Sequence, residues 1–168
     1  PIENVDVEFD DALKTTGSDG LVTYIKNAKK YSLLVKKSGY ITFSNKTEVT
    51  GNGIFEVMLI RQDNQSPIIQ LISPEDKAVT SNTSIILKYK AIDKSAMTCK
   101  LYVRANSSAW KLENLDNNVI SDAESVFVLT NLQNYTYEWQ IECTDKNGNL
   151  NLSEAYTFTV DTSLMENV

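Results

Sequence analysis

The chain has 168 residues, two cysteines, no histidine and a formal net charge of −6. Without an imidazole it lacks the usual general base, the Ser-His-Asp and Cys-His arrangements and most zinc catalysis. Nine acids against eight bases up to residue 66, and thirteen against eight beyond it, argue against a sequence-independent grip on nucleic acid, which needs clustered Lys and Arg to displace counterions.

No stretch approaches the roughly 18 uninterrupted apolar residues of a membrane span, and no basic-then-apolar leader opens the chain. The segment reads as a piece excised from a cell-surface or secreted protein. Period-two alternation recurs along it, and no window of helical length sustains a period of 3.6. The expectation is therefore all-β, as two tandem antiparallel β-sandwiches with almost no helix.

In chain order, Val5, Val7 and Phe9 alternate with Asp6 and Glu8. Gly17-Ser18-Asp19-Gly20 is a turn, followed by a strand over 21–25. Strands at 31–37 and 40–44 flank Ser38-Gly39, and strands at 47–50 and 54–61 flank Gly51-Asn52-Gly53, so both pairs read as hairpins. The polar stretch ending in Pro67 is the linker, which divides the chain into a first domain (residues 1–62), a linker (63–67), a second domain (68–161) and a tail (162–168).

The second domain begins with a strand over 68–72 and a turn around Pro74. The strand over 84–91 points Ile85, Leu87, Tyr89 and Ala91 to one face, and the next covers 97–103. Residues 110–122 are irregular and rich in Asn. Further strands are expected over 125–129, over 135–144 with Tyr135, Tyr137, Trp139, Ile141 and Cys143 sharing one face, and over 153–160.

Pro1-Ile2-Glu3-Asn4-Val5, the turn Thr16-Gly17-Ser18-Asp19-Gly20 and the run Tyr31-Ser32-Leu33-Leu34-Val35-Lys36-Lys37-Ser38-Gly39-Tyr40 resemble the carboxypeptidase-regulatory-like, transthyretin-type sandwich. That resemblance implies one more strand before Pro-Ile-x-Asn-Val, which this segment starts too late to contain. The run Leu132-x4-Thr136-Tyr137-x-Trp139-x-Ile141-x-Cys143-x-Asp145-x2-Gly148-Asn149, with Cys99 upstream, resembles an immunoglobulin-like or fibronectin-type-III-like domain of the kind strung along microbial, archaeal-type surface proteins.

Cys99 and Cys143 fall on the apolar register of strands that should be neighbours, and a structural disulfide is the expectation. Asp10 with Asp11, and Asp122 with Glu124, are the carboxylate pairs that would serve a glycosidase-like mechanism if they faced a cleft. Asp145-Lys146-Asn147-Gly148-Asn149 departs from the EF-hand order and reads as a hairpin turn. Asp63, Asp76 and Asp145 are the remaining calcium candidates, and no cofactor or metal is assigned.

Asn-x-Ser/Thr occurs at Asn45, Asn64, Asn82, Asn106, Asn134 and Asn151, with Asn45, Asn82 and Asn106 in expected turns. Trp110, after a polar stretch, is the candidate ligand-contacting ring, whereas Tyr135, Tyr137 and Trp139 belong to the core.

The sequence thus points to a non-catalytic, extracellular structural module of a surface protein or filament, partnered by other copies of itself or by neighbouring domains. A sandwich with an open sheet edge would be completed by strand donation between subunits, for which the tail over 162–168 is the candidate donor. The alternatives are an adhesin or carbohydrate-binding module, in which glycans are the partners and Trp110 the contact, and an accessory domain of a larger secreted enzyme.

Overall fold

The structure, a computed structural model, describes residues 1–165, and its one helical element among these is a 3-10 turn at Thr162–Met165. The chain divides into two compact units, Pro1–Asp63 and Asn64–Val168.

In the first unit, β1 (Asp6–Phe9), β2 (Ala12–Thr15), β3 (Lys29–Lys36) and β4 (Phe43–Val49) form an antiparallel sheet in the order β2-β1-β3-β4. Alternation decides which face is buried. Val7 and Phe9 lie directly opposite Val35 and Leu33, and with Val5 and Tyr31 they form the core. Gly20 closes the turn after β2 at φ +70°, where a Cβ would stand 2.9 Å from the Ile2 nitrogen, so only glycine fits.

The second layer of this sandwich is extended chain without a ladder. Val22 and Tyr24 from one segment, and Val57 and Leu59 from another, pack on the same core. Their neighbours point away, with Ile25, Ile54 and Met58 being 97%, 88% and 85% exposed. The strand expected over 21–25 and the hairpin expected between 47–50 and 54–61 are therefore not formed.

Among the described residues, 54–59 make no backbone hydrogen bond. The contacts of that arm begin only at Ile60, whose carbonyl accepts from the Ile41 amide at 2.8 Å, and at an isolated bridge between Tyr40 and Arg61. The first expected hairpin does form, as β3 against β4, but its turn is longer because Tyr40 leaves the ladder to meet Arg61.

The second unit comprises β5 (Ile68–Ser73), β6 (Ala78–Thr80), β7 (Ile85–Ile92), β8 (Met97–Ala105), β9 (Lys111–Val119), β10 (Glu124–Leu129), β11 (Thr136–Asp145), β12 (Leu150–Leu152) and β13 (Tyr156–Val160). One sheet runs β10-β7-β5. The other runs β6-β13-β11-β8-β9, with β12 also on β11. Every pairing is antiparallel except β6 with β13. The inward side chains of both sheets share one core, an immunoglobulin-like arrangement by strand order.

Trp139, Tyr89, Leu87 and Phe158 are wholly buried there. Cys99 and Cys143 face each other across β8 and β11 and are disulfide-bonded, with Cα atoms 4.1 Å apart. This bridge ties neighbours within one sheet, whereas the antibody-type bridge joins the two sheets.

Two expectations for this unit fail. Residues 110–122 contain β9, whose register shifts opposite Cys99 and again opposite Leu101 and Tyr102; each shift breaks the alternation that would have revealed a strand. Tyr135 precedes β11 and is 46% exposed, so the core stripe begins at Tyr137.

Closing a 44-residue separation should stabilise the second unit by about 4 kcal/mol on the chain-entropy model. Replacing both cysteines by alanine is expected to lower its unfolding free energy by about that amount. Denaturant unfolding followed by Trp139 fluorescence measures it.

Candidate functional site

Asp10 with Asp11, and Asp122 with Glu124, are the carboxylate pairs that would serve acid–base catalysis. Asp10 and Asp11 do line an open depression of about 480 Å³, with Lys26, Lys29 and Tyr31. However, Asp10 Oδ1 accepts the Ser32 amide at 2.9 Å and Oδ2 lies 4.0 Å from Lys29 Nζ. Asp122 pairs with Lys90 at 3.0 Å and Glu124 with Lys88 at 2.8 Å. Three of these four acids are thus committed to backbone or lysine.

The buried phenol of Tyr89 is no base either. Burial, reinforced by the Asp116 carboxylate, pushes its pKa up to about 12, so the ring keeps its proton. Trp139 Nε1 is buried without a hydrogen-bond partner among the described residues.

Asp145, at the end of β11, is 4% exposed. Its Oδ1 accepts the amides of Asn147 and Asn149 at 2.9 and 2.8 Å, and its Oδ2 accepts Asn149 Nδ2 at 2.9 Å. The carboxylate therefore organises the turn expected here. Burial opposes ionisation, yet the hydrogen bonds from Asn149 and Asn147 outweigh it and hold the pKa below 3.8. Asp76 is similarly engaged, with Oδ1 accepting the amide of Thr157 at 2.8 Å and its hydroxyl at 2.9 Å.

Trp110 is half-buried and is not the free ring expected from the sequence. The Arg104 guanidinium stacks 4.5 Å from its centroid. Glu138 fixes that guanidinium in turn through two hydrogen bonds of 2.9 and 2.6 Å. One aromatic face is thereby capped from within the unit.

The six sequons are exposed but differ chemically. A glycan replaces a hydrogen of the side-chain amide, so a committed Nδ2 disfavours it. Asn134 Nδ2 donates to Thr162 Oγ1 at 3.0 Å and Asn151 Nδ2 to the Pro67 carbonyl at 2.9 Å. Asn45 and Asn106 use only Oδ1, toward the amides of Lys46 and Thr136. Asn45 lies within β4, not in the turn expected for it, while Asn82 and Asn106 do lie in irregular backbone.

Apolar side chains are also exposed in both units. On the outer face of the three-stranded sheet, Ile68 opposes Ile92 and Ile86 opposes Val128, all at least 39% exposed. In the first unit, the outward side chains Ile54 and Met58 line a segment, 54–59, with no backbone hydrogen bond among the described residues. The sequence carried a signal for this segment. Residues 54–60 are apolar at both parities except Glu56, the mark of a strand meant to be covered on both faces.

No protein-family description matches the chain, and no curated protein matches it. Twenty-eight solved chains do match. Among them are the fibronectin(III)-like modules of Clostridium thermocellum CbhA, at 13% sequence identity and a TM-score of 0.44, over 98% of this chain and 81% of that one. The fold assignment stands on the strand pairing within each unit.

The depressed pKa of Asp145 sets the sign of a pH effect. Its stabilisation is complete above the ordinary value of 3.8 and is lost as pH falls through the lower folded value. Thermal unfolding should show Asp145→Asn to be less stable than the parent at neutral pH, with the gap closing as the pH drops below 3.8.

Proposed function

We propose that the chain is a non-catalytic structural module of an extracellular surface protein or filament, and that its first unit is completed by a strand donated from a second copy. The observation that carries this reading is the segment over 54–59, which has apolar side chains on both faces and no backbone hydrogen bond among the described residues. An added strand supplies the missing ladder and covers Ile54 and Met58 in one step.

The segment over 21–25 supports the same reading. It too is extended and outside any ladder, with Leu21 and Ile25 65% and 97% exposed. The Cys99–Cys143 bond favours an oxidising, extracellular setting. Within that setting, glycans are proposed at Asn45, Asn82 and Asn106 ahead of Asn134 and Asn151, whose amide donors are engaged.

The tail over 162–168 is the donor suggested by the sequence. Thr162–Met165 form a 3-10 turn, anchored where Asn134 Oδ1 accepts the Thr162 amide at 3.2 Å. Glu166, Asn167 and Val168 lie outside the described residues. Donation would therefore require Thr162–Met165 to unwind.

Sedimentation across a concentration series tests the reading with Met58→Lys, because a lysine on an open edge blocks strand addition and Met58 is 85% exposed. The parent chain should associate increasingly with concentration, and the variant should remain monomeric with unchanged circular dichroism and an intact disulfide. A parent that stays monomeric throughout overturns the proposal. Equal association by a chain lacking 162–168 rules out that tail as donor.

A further inference from the structure

The chain contains two Asn-Gly dipeptides, Asn52-Gly53 and Asn147-Gly148, both exposed but differing in how they are hydrogen-bonded. Asn-Gly is chemically labile because glycine, without a side chain, leaves its own amide nitrogen free to approach the preceding carboxamide. Whether it does so depends on how that nitrogen and that carboxamide are held.

At Asn52, nothing holds either. Gly51, Asn52 and Gly53 are all exposed, and no hydrogen bond is made by Asn52 or Gly53 among the described residues. At Asn147, both reacting groups are committed. Gly148 donates its amide to the Asp145 carbonyl at 3.1 Å. Asn147 Nδ2 donates to Ser95 Oγ at 2.9 Å, and the Asn147 amide donates to Asp145 Oδ1 at 2.9 Å. Gly148 is further fixed at φ +87° by the turn.

We propose that Asn52 is a site of spontaneous covalent modification, in which deamidation yields aspartyl and isoaspartyl residues, and that the Asp145 turn protects Asn147 from the same reaction. The Gly53 nitrogen gives its proton to solvent base and attacks Asn52 Cγ. A new C–N bond closes a succinimide ring, and the Cγ–Nδ2 bond breaks to release ammonia. Water then opens the ring at either carbonyl, giving aspartate or isoaspartate; no oxidant or reductant is needed. The isoaspartyl product lengthens the backbone by one carbon and adds a carboxylate just before Ile54, where the unpaired apolar segment begins. The inference does not depend on strand donation.

The test uses the full, disulfide-intact chain kept folded at mildly alkaline pH, sampled over time, digested, and scored by mass spectrometry for amide-to-acid conversion and for isoaspartate at each asparagine. Asn52 should convert with isoaspartate as the major product, and Asn147 should convert slower by roughly tenfold or more, because its hydrogen bonds must first break. In the reduced, denatured chain the two rates should converge. Equal rates in the folded protein, an unconverted Asn52, or an Asn147 that stays slow after unfolding would each overturn the proposal.

Discussion

A β-layer must satisfy two requirements at once: it has to bury an apolar face, and it has to pair its backbone amides and carbonyls. The two units of this protein differ in how far they meet them. In the second, both sheets are laddered, and Trp139, Tyr89 and Phe158 fill the space between. In the first, β2-β1-β3-β4 is laddered, but the layer over it, carrying Val22, Tyr24, Val57 and Leu59, meets only the burial requirement. Apolar packing holds these segments in place while leaving their hydrogen-bonding edges open to an additional strand.

The second unit is laddered in both sheets and covalently cross-linked. Cys99 and Cys143 clamp β8 to β11 at the centre of its larger sheet. On the outer face of those strands, Lys100 pairs with Glu142 at 2.8 Å and Arg104 with Glu138 at 2.6 Å. Such cross-strand pairs contribute only about 0.2–1 kcal/mol each, so their larger effect is to keep this face charged and solvated. The opposite sheet turns Ile68, Ile86, Ile92 and Val128 outward instead. Asp122 and Glu124 are engaged by lysines, and the buried Tyr89 phenol is shifted up, away from reactivity.

Much of this was legible in the sequence, for identifiable reasons. The stripes of β7, from Ile85 to Ala91, and of β11, from Tyr137 to Cys143, read correctly because one face is buried and no bulge intervenes. Strand β9 escaped because its two register shifts scramble the alternation. Trp110 looked available because no local pattern reveals that Arg104, on the preceding strand, caps its ring. The segments over 21–25 and 54–61 have strand-like composition, and the sequence could not show that each lacks a ladder, since pairing is a property of two segments and not of one. The apolar run over 54–60 nevertheless hinted at an unmet need for cover on both faces.

Amide hydrogen exchange of residues 54–59, followed by nuclear magnetic resonance from dilute to concentrated solution, tests the central claim most directly, because it reports pairing residue by residue. The account predicts amides that are almost unprotected in dilute solution and gain protection as concentration rises, while the amides of β3 and β11 stay protected throughout. Protection of 54–59 at every dilution would mean that the segment finds its partner within its own chain, and persistent lack of protection at high concentration would mean that no second copy completes it; either result contradicts the account.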